Sequence, residues 1–227
     1  MAKGLFLTGT GTEIGKTYLA GLLVKKLHGA GKKAGYYKAA MSGNERDHAG
    51  HLIPGDALWV KEVSGIGQSL EEMCPYVYEH AYSPHLASRV EGNPVDLNVV
   101  KKGYEAVEET CEYITVEGSG GIICPIRRDA QVIGLEDIVK MLDLPCVIAA
   151  DAGLGTINSV VLTVFYMKAH GMRVKGILLN NFAPGDPIME DNRKMCEEMT
   201  GIPVIACIGH GDLDLDLDPE QLADLYE

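Results

Sequence analysis

Short apolar runs alternate with amphipathic segments along most of the chain. Runs that are apolar on both faces are typical of buried strands, and they predict strands at Gly4–Thr8, Ala34–Lys38, Tyr113–Val116, Cys146–Ala150, Val174–Leu179 and Val204–Cys207. Apolar residues at helical spacing predict helices at Gly15–His28, Asp96–Glu112, Leu135–Asp143, Asn158–His170 and Ile188–Thr200. This alternation predicts an α/β, three-layer fold, with a mostly parallel central sheet and helices on both faces. No linker or repeat divides the chain, so we expect one domain over residues 1–227.

Charge and hydropathy argue against nucleic acids and membranes as partners. The 227 residues include 32 acidic and 20 basic side chains, a formal net charge of -12. Nucleic acids and anionic membranes attract basic surfaces, so we expect neither as a partner. No run approaches the ~20 apolar residues of a membrane span, and the apolar run near the first residue is shorter than a signal-peptide core of ~7–15 residues. These observations predict a cytoplasmic protein.

Six cysteines are scattered through the sequence without a Cys-x-x-Cys pair. Cys124, Cys146 and Cys207 lie in apolar runs that are typical of buried strands. Free thiols in a reducing compartment are therefore expected, rather than disulfides or a zinc site. Near the end of the chain, the alternating Asp-Leu segment 212–218 lacks the Gly and Glu of a calcium loop, which favours a solvated acidic tail.

The strongest chemical signal is the segment Gly-Thr-Gly-Thr-Glu-Ile-Gly-Lys-Thr at 9–17, between the first predicted strand and the first helix. A phosphate-binding loop needs this context, because its backbone N–H groups and the helix N-terminus surround the phosphates. Lys16 would contact the β- and γ-phosphates, and the Thr17 hydroxyl would bind Mg²⁺. The standard motif has four residues between its glycines, whereas here Thr10 occupies the first glycine position. A glycine-rich turn without a ligand is the alternative, but Gly-Lys-Thr at a helix start favours a P-loop NTPase-like fold.

Three charged residues are candidates for completing this site. Glu117 ends a buried strand, where the carboxyl edge of a parallel sheet adjoins the nucleotide. Asp56 is a second candidate magnesium ligand, or alternatively the N-cap of a helix starting near Ala57. Lys38 ends the second strand and could stabilise a transferring phosphoryl group, although a lone strand-terminal lysine is usually a surface residue.

Together these segments resemble the dethiobiotin synthetase family. The resemblance rests on the phosphate loop, on Tyr37-Lys38 with Ser42-Gly43, and on the segments 55–57, 83–85 and 116–121, in that order and spacing. It implies an ATP- and Mg²⁺-dependent ligase that closes a cyclic urea on 7,8-diaminononanoate with CO₂. A carbamate on one amine would take the γ-phosphate, and the second amine would then attack the carbonyl and release phosphate.

The resemblance also implies a role for particular residues. The catalytic residues would be Lys38, Lys16 and Thr12. The magnesium ligands would be Thr17, Asp56 and Glu117. The substrate-binding residues would be Thr12, Ser42, Gly155 and Asn158. The nucleotide-binding residues would be Glu13, Ile14, Gly15, Lys16, Thr17, Asp56, Glu117, Gly118, Ser119, Gly120, Asn180, Asn181, Gly209 and Gly211.

Members of the family are homodimers, and the resemblance implies that the helix start at 155–158 meets the substrate carboxylate of the partner subunit. Gly209-His210-Gly211 departs from the usual loop near the adenine, which leaves the nucleotide preference open.

Two other classes of protein carry similar phosphate-binding loops. A phosphate-loop amidoligase would need a glutamine-hydrolysing domain, for which this chain has no room. A partner-regulated ATPase of the deviant phosphate-loop type would have a lysine at Thr10 or Gly11.

Overall fold

The computed structural model describes residues 2–227, and it contains the predicted alternation of strands and helices. The strands are Lys3–Gly9 (β1), Ala34–Lys38 (β2), Ala40–Met41 (β3), Tyr76–Val77 (β4), Tyr113–Glu117 (β5), Pro125–Arg128 (β6), Val132–Gly134 (β7), Cys146–Asp151 (β8), Val174–Asn180 (β9) and Val204–Ile208 (β10). The helices are Lys16–Gly29 (α1), Gly55–Ser64 (α2), Leu70–Met73 (α3), Pro84–Val90 (α4), Leu97–Glu108 (α5), Leu135–Leu142 (α6), Thr156–Ala169 (α7), Pro187–Thr200 (α8) and Pro219–Ala223 (α9).

Six parallel strands form the central sheet in the order β10-β9-β8-β1-β5-β2. Apolar side chains on its two faces form two separate core clusters, one containing Leu5 and Leu7 and the other Phe6. The predicted three-layer fold is therefore confirmed. Because β1, β5 and β2 are neighbours and run in one direction, their carboxyl ends meet at the same edge. In this register Glu117 pairs with Leu7 on one side and with Lys38 on the other.

The main predicted elements are confirmed, with shifts at their ends. The largest shift is in α5, which ends at Glu108 and not at Glu112. At its start, the Asp96 side chain accepts a hydrogen bond from the Asn98 N–H and caps the helix. Asp56 is not an N-cap, because it lies inside the first turn of α2 after Pro54. The strand predicted around Cys124 is wrong, since that residue lies in a turn before β6 and is half-buried. The short pairs β3–β4 and β6–β7 carry too few residues to show a periodic signal.

The acidic segment near the end of the chain is solvated as predicted, since its aspartates are exposed, but it is not a detached tail. Lys26 pairs with Asp214 at 3.2 Å, and the Leu215 side chain is buried against α1 and its neighbours. Beyond α9, the fully buried Tyr226 side chain forms a 2.7 Å hydroxyl hydrogen bond with Thr115 on β5. Leu215 and Tyr226 therefore attach this part of the chain to the core.

All six cysteines are free, in agreement with the sequence prediction. Among residues 2–227, no helix has both the length and the apolar character that crossing a membrane requires.

Candidate active site

The loop between β1 and α1 surrounds the start of a helix. Gly15, the N-cap of α1, has φ of 87°, a left-handed conformation that glycine adopts without a Cβ clash. A Cβ there would collide with the side-chain amide of Asn180, at the end of β9. That amide donates a 3.1 Å hydrogen bond to the Ile14 carbonyl oxygen, so β9 supports the loop from beneath. Asn180 Oδ1 is buried and has no hydrogen-bond partner among the described residues.

Lys16 opens α1 and turns back over the loop. Its Nζ donates a 2.6 Å hydrogen bond to the Gly11 carbonyl oxygen, and the residue is largely buried. Burial disfavours the ammonium form and lowers the pKa of Lys16, while the nearby Glu117 carboxylate opposes that change. The loop thus holds a partly desolvated cation at the helix N-terminus, an arrangement that attracts anions.

A second cation, Lys38, lies between two carboxylates. Its Nζ is 2.5 Å from Asp56 Oδ2 and 2.6 Å from Glu117 Oε1. Burial disfavours the charged amine, but the charges of Glu117 and Asp56 outweigh that effect and raise the pKa of Lys38. Lys38 is only 6% exposed, so it is not the free surface lysine of the alternative interpretation.

Two hydroxyl groups also donate to Glu117. Thr17 Oγ1 donates to Oε1 at 2.9 Å, and the Tyr36 phenol donates to Oε2 at 2.7 Å. Burial, followed by the charge of Glu117, raises the pKa of Tyr36 well above its usual value, so the phenol remains a donor. The Glu117 carboxylate is therefore fixed by donors from α1 and β2.

The donor set of this centre suits magnesium. Among the described residues, no three His, Cys, Asp or Glu side chains cluster as a metal site. Thr17, Asp56 and Glu117 instead supply one hydroxyl and two carboxylates, all linked through Lys38 or Glu117. Hard oxygen donors fit Mg²⁺, which binds through one or two carboxylates together with phosphate and water oxygens. The residues therefore fit this ion in the presence of a bound nucleotide.

A cavity of about 550 Å³ opens over the loop and the charged centre. Its walls include most of the residues predicted for phosphate, metal and substrate: Thr12, Glu13, Gly15, Lys16, Thr17, Lys38, Ser42, Asp56, Glu117, Ser119 and Gly120. Gly118 lies behind the wall, where its N–H donates to the Leu7 carbonyl oxygen. Ile14 contributes the carbonyl oxygen that Asn180 binds.

The remaining predicted nucleotide residues form a separate group at the ends of β9 and β10. The Asn181 amide donates to Asp151 Oδ2 at 2.7 Å, and its Oδ1 lies 3.4 Å from the His210 ring. Gly209 donates its N–H to Asp212 at 2.7 Å, in a turn that Gly211 closes with φ of 82°. These residues do not line the cavity themselves, but Asn180 connects their group to the phosphate loop.

The predicted substrate residues Gly155 and Asn158 lie outside the cavity, at the exposed N-terminus of α7. Exposed leucine and phenylalanine side chains follow them on the same helix. Asn158, Leu162 and Phe165 are spaced four and three residues apart, which places them on one face. Leu162 is 61% and Phe165 65% exposed.

Sequence reasoning missed several residues at the site. Cys124, Met41, the loop residues Ala81 and Tyr82, and Pro84 at the start of α4 also line the cavity. Ser83-Pro84 belonged to the resemblance but received no role, and Cys124 was assigned to the wrong element. Tyr36 could have been found, because it precedes Lys38 by two residues on a strand and side chains at that spacing share a face.

Known proteins resemble this chain over most of its length. A family model described as an AAA domain matches residues 3–213. The ATP-dependent dethiobiotin synthetase BioD of Brachyspira hyodysenteriae is 50% identical over 95% of this chain and 96% of its own. The protein of that name from Clostridium botulinum strain 657 is 44% identical over 100% of this chain and 99% of its own. The chain belongs to the ATP-dependent dethiobiotin synthetase family.

Solved structures of distant sequence share the fold of this synthetase-family chain. A MinC:MinD cell division protein complex from Aquifex aeolicus aligns with a TM-score of 0.59 at 13% identity, over 99% of this chain and 94% of that one. A ParA family ATPase from Chlorobium tepidum aligns with a TM-score of 0.57, also at 13% identity, over 99% and 98%. The predicted P-loop NTPase-like fold is confirmed, and at such low identity the likeness concerns the fold alone.

Proposed function

We propose that residues 1–227 form a single-domain, ATP-dependent ligase that closes the ureido ring of dethiobiotin on 7,8-diaminononanoate and CO₂, in biotin biosynthesis. The observation that carries this proposal is the convergence of Lys16, Lys38, Asp56 and Glu117 around one cavity. It combines an anion-binding helix terminus with a second buried cation and two carboxylates. Sequence identity to named synthetases over nearly the whole chain supports the same reaction.

The two lysines would bind different anionic groups of the substrates. Lys16, at the N-terminus of α1, is placed to hold the β- and γ-phosphates with the loop N–H groups. Lys38, on the neighbouring strand edge, is placed to hold the carbamate and the transferring phosphoryl group. Thr12 and Ser42 line the same cavity and would orient the diamine. The charges of Lys16 and Lys38 would thereby stabilise the negative charge on the transferring group.

Thr17, Asp56 and Glu117 would hold Mg²⁺ through their oxygens. When bound, the ion supplies charge neutralisation between the phosphates. The Thr17 hydroxyl donates to Glu117, and Lys38 donates to Glu117 and to Asp56, so hydrogen bonds hold the three side chains close together. Lys38 pairs with both carboxylates and so limits the repulsion between them.

The nucleotide base would lie toward the ends of β9 and β10. Asn180 is attached to the phosphate loop, and its side-chain oxygen Oδ1 lacks a protein donor among residues 2–227. Such an oxygen is suited to accept from an exocyclic amine such as that of adenine. Glu13, the backbone 118–120, Asn181, Gly209 and Gly211 would border the nucleotide. His210 lies beside Asn181, in the loop that departs from the usual one near the adenine. The preference for adenine over other bases should therefore be measured.

Homodimer formation fits the exposed apolar residues of α7 and its surroundings. Leu154 at the preceding turn is 86% exposed, and Ile123 and Val132 are each 67% exposed. Pairing of such side chains between subunits would bury them, and it would bring Gly155 and Asn158 to the partner's cavity. Six free cysteines fit a cytoplasmic location.

The reaction itself tests this proposal. Purified protein given 7,8-diaminononanoate, bicarbonate, Mg²⁺ and ATP should form dethiobiotin, ADP and phosphate, measured by mass spectrometry. ATP hydrolysis should require the diamine. Folded protein that yields no dethiobiotin, or that hydrolyses ATP only with a protein or membrane partner, would contradict the proposal.

A further inference from the structure

Tyr36 shares one face of the sheet with the charged centre. On β2 it lies two residues before Lys38, and in the parallel register it pairs with Thr115 as Lys38 pairs with Glu117. Side chains two residues apart on a strand point to the same side. The phenol of Tyr36 therefore extends beneath Lys38 toward Glu117, and it is completely buried there.

The two oxygens of Glu117 have different partners. Oε1 accepts from Lys38 Nζ at 2.6 Å and from Thr17 Oγ1 at 2.9 Å, at the side of the phosphate loop. Among the described residues, Oε2 accepts only from the Tyr36 phenol, at 2.7 Å. A carboxylate whose second oxygen is fixed cannot rotate freely about its terminal torsion. The phenol thus determines which oxygen faces the cavity.

Tyr36 is itself held in position by a second contact. Because β2 is at the edge of the sheet, its outer backbone groups have no neighbouring strand. The Gln68 side chain occupies that place: its Oε1 accepts from the Tyr36 N–H at 2.9 Å, and its Nε2 donates to the Tyr36 carbonyl oxygen at 3.0 Å. Gln68, Tyr36 and Glu117 therefore form a continuous chain of contacts from the sheet edge to the cavity.

We propose that Tyr36 is a positioning residue for the magnesium site, acting through Glu117 without touching metal or substrate. This inference rests on the proposed role of Glu117 as a magnesium ligand. Groups that hydrogen-bond to a metal-binding carboxylate orient it, and their loss typically weakens metal binding or activity about 10–100-fold. Tyr36 forms hydrogen bonds with Glu117 and Gln68 and not with Thr12 or Ser42, the proposed substrate residues. Affinity for the diamine should therefore be affected little.

The adjacent tyrosine provides a matched control. Tyr37 is equally buried, on the opposite face of β2, and its phenol donates a 2.7 Å hydrogen bond to the Val100 carbonyl oxygen. Tyr36→Phe and Tyr37→Phe each delete one oxygen and one buried hydrogen bond on the same strand. A merely structural role for Tyr36 would give the two variants similar properties.

The experiment measures Mg²⁺ affinity in the presence of ADP by calorimetry, and Mn²⁺ binding by electron paramagnetic resonance. Tyr36→Phe should weaken metal binding about tenfold, lower kcat, and leave the KM for the diamine within about twofold. Tyr37→Phe should bind metal like the unaltered protein. Equal metal affinity in the two variants would overturn the proposal.

If Tyr36→Phe fails to fold, Gln68→Leu tests the same chain of contacts from the half-buried sheet edge. It should weaken metal binding in the same direction, by about threefold or more, and unchanged affinity would overturn the proposal. Metal binding with ADP needs no diamine. If the unaltered protein makes no dethiobiotin but Tyr36→Phe still weakens its metal binding, the ligase function would be rejected and the role of Tyr36 retained.

Discussion

Lys38 and Glu117 face each other on neighbouring parallel strands, and Lys38 Nζ lies 2.6 Å from Glu117 Oε1. Both side chains are almost completely buried. A buried pair of this kind is costly to break, because removing one partner leaves the other charge without compensation. The same pair lies in the wall of the cavity, where its charge can act on a bound anion.

Replacing this lysine should separate catalysis from nucleotide binding. Lys38→Ala should lower turnover by about 10²–10³-fold or more, because a charge directed at the transferring group is lost. ADP affinity should remain within about threefold, since Lys16 and the loop are unchanged. Dethiobiotin formation and calorimetric ADP binding provide the two measurements. Lys140→Ala, at a half-exposed i,i+4 pair on α6, is the control and should retain both properties. Near-normal turnover of Lys38→Ala would contradict the role of this residue.

The left-handed glycine of the phosphate loop offers a second test. Gly15→Ala should cost about 1–2 kcal/mol in unfolding free energy for the strained φ, and should weaken ADP binding about tenfold by displacing the Asn180 amide. Gly31→Ala shares the positive φ, but a Cβ there meets no atom within 4 Å. Gly31→Ala should therefore lower the unfolding free energy by a similar amount and bind ADP like the unaltered protein. Equal ADP affinity in both variants would show that the contact with Asn180 is unimportant.

The thiol of Cys124 should report on occupation of the cavity. Burial raises its pKa, although the charges of Lys16 and Lys38 oppose the shift. A raised pKa lowers the thiolate fraction, so alkylation by iodoacetamide should be slow at pH 7 and should continue to accelerate above pH 9. ATP with Mg²⁺ should slow labelling of Cys124, which lines the cavity, and should not affect Cys111, which lines a different pocket. Peptide mass spectrometry distinguishes the two, and equal protection of both thiols would be the contrary result.

The exposed face of α7 should control assembly. Phe165→Glu should convert the proposed homodimer to monomers in sedimentation experiments and lower turnover, because Asn158 on the same face would no longer reach a partner's cavity. Its unfolding free energy should change by no more than about 0.5 kcal/mol, as is usual for exposed positions. Leu213→Glu, at a similarly exposed site, should remain dimeric and active. A Phe165→Glu variant that sediments like the unaltered protein would exclude this face as the interface.

The sequence alone determined the class of fold and the position of the phosphate loop. Strands that are apolar on both faces and alternate with helices favour a covered parallel sheet. Gly15, Lys16 and Thr17 lie where a strand is followed by a helix. These are local signals, readable from spacing and residue type. Their positions in the chain made Lys38, Asp56 and Glu117 candidates, and the resemblance gave each a role. The structure brings all three to the same cavity as the loop.

Only the tertiary structure decided how these residues contact one another. Strand order and register bring Tyr36 and Lys38 to Glu117 across about 80 residues of sequence, and no periodic pattern encodes such a pairing. The same holds for Tyr226, whose contact with Thr115 attaches the end of the chain that follows the predicted acidic tail. Local patterns specify elements and their buried faces, whereas contacts between distant side chains depend on how the elements pack together.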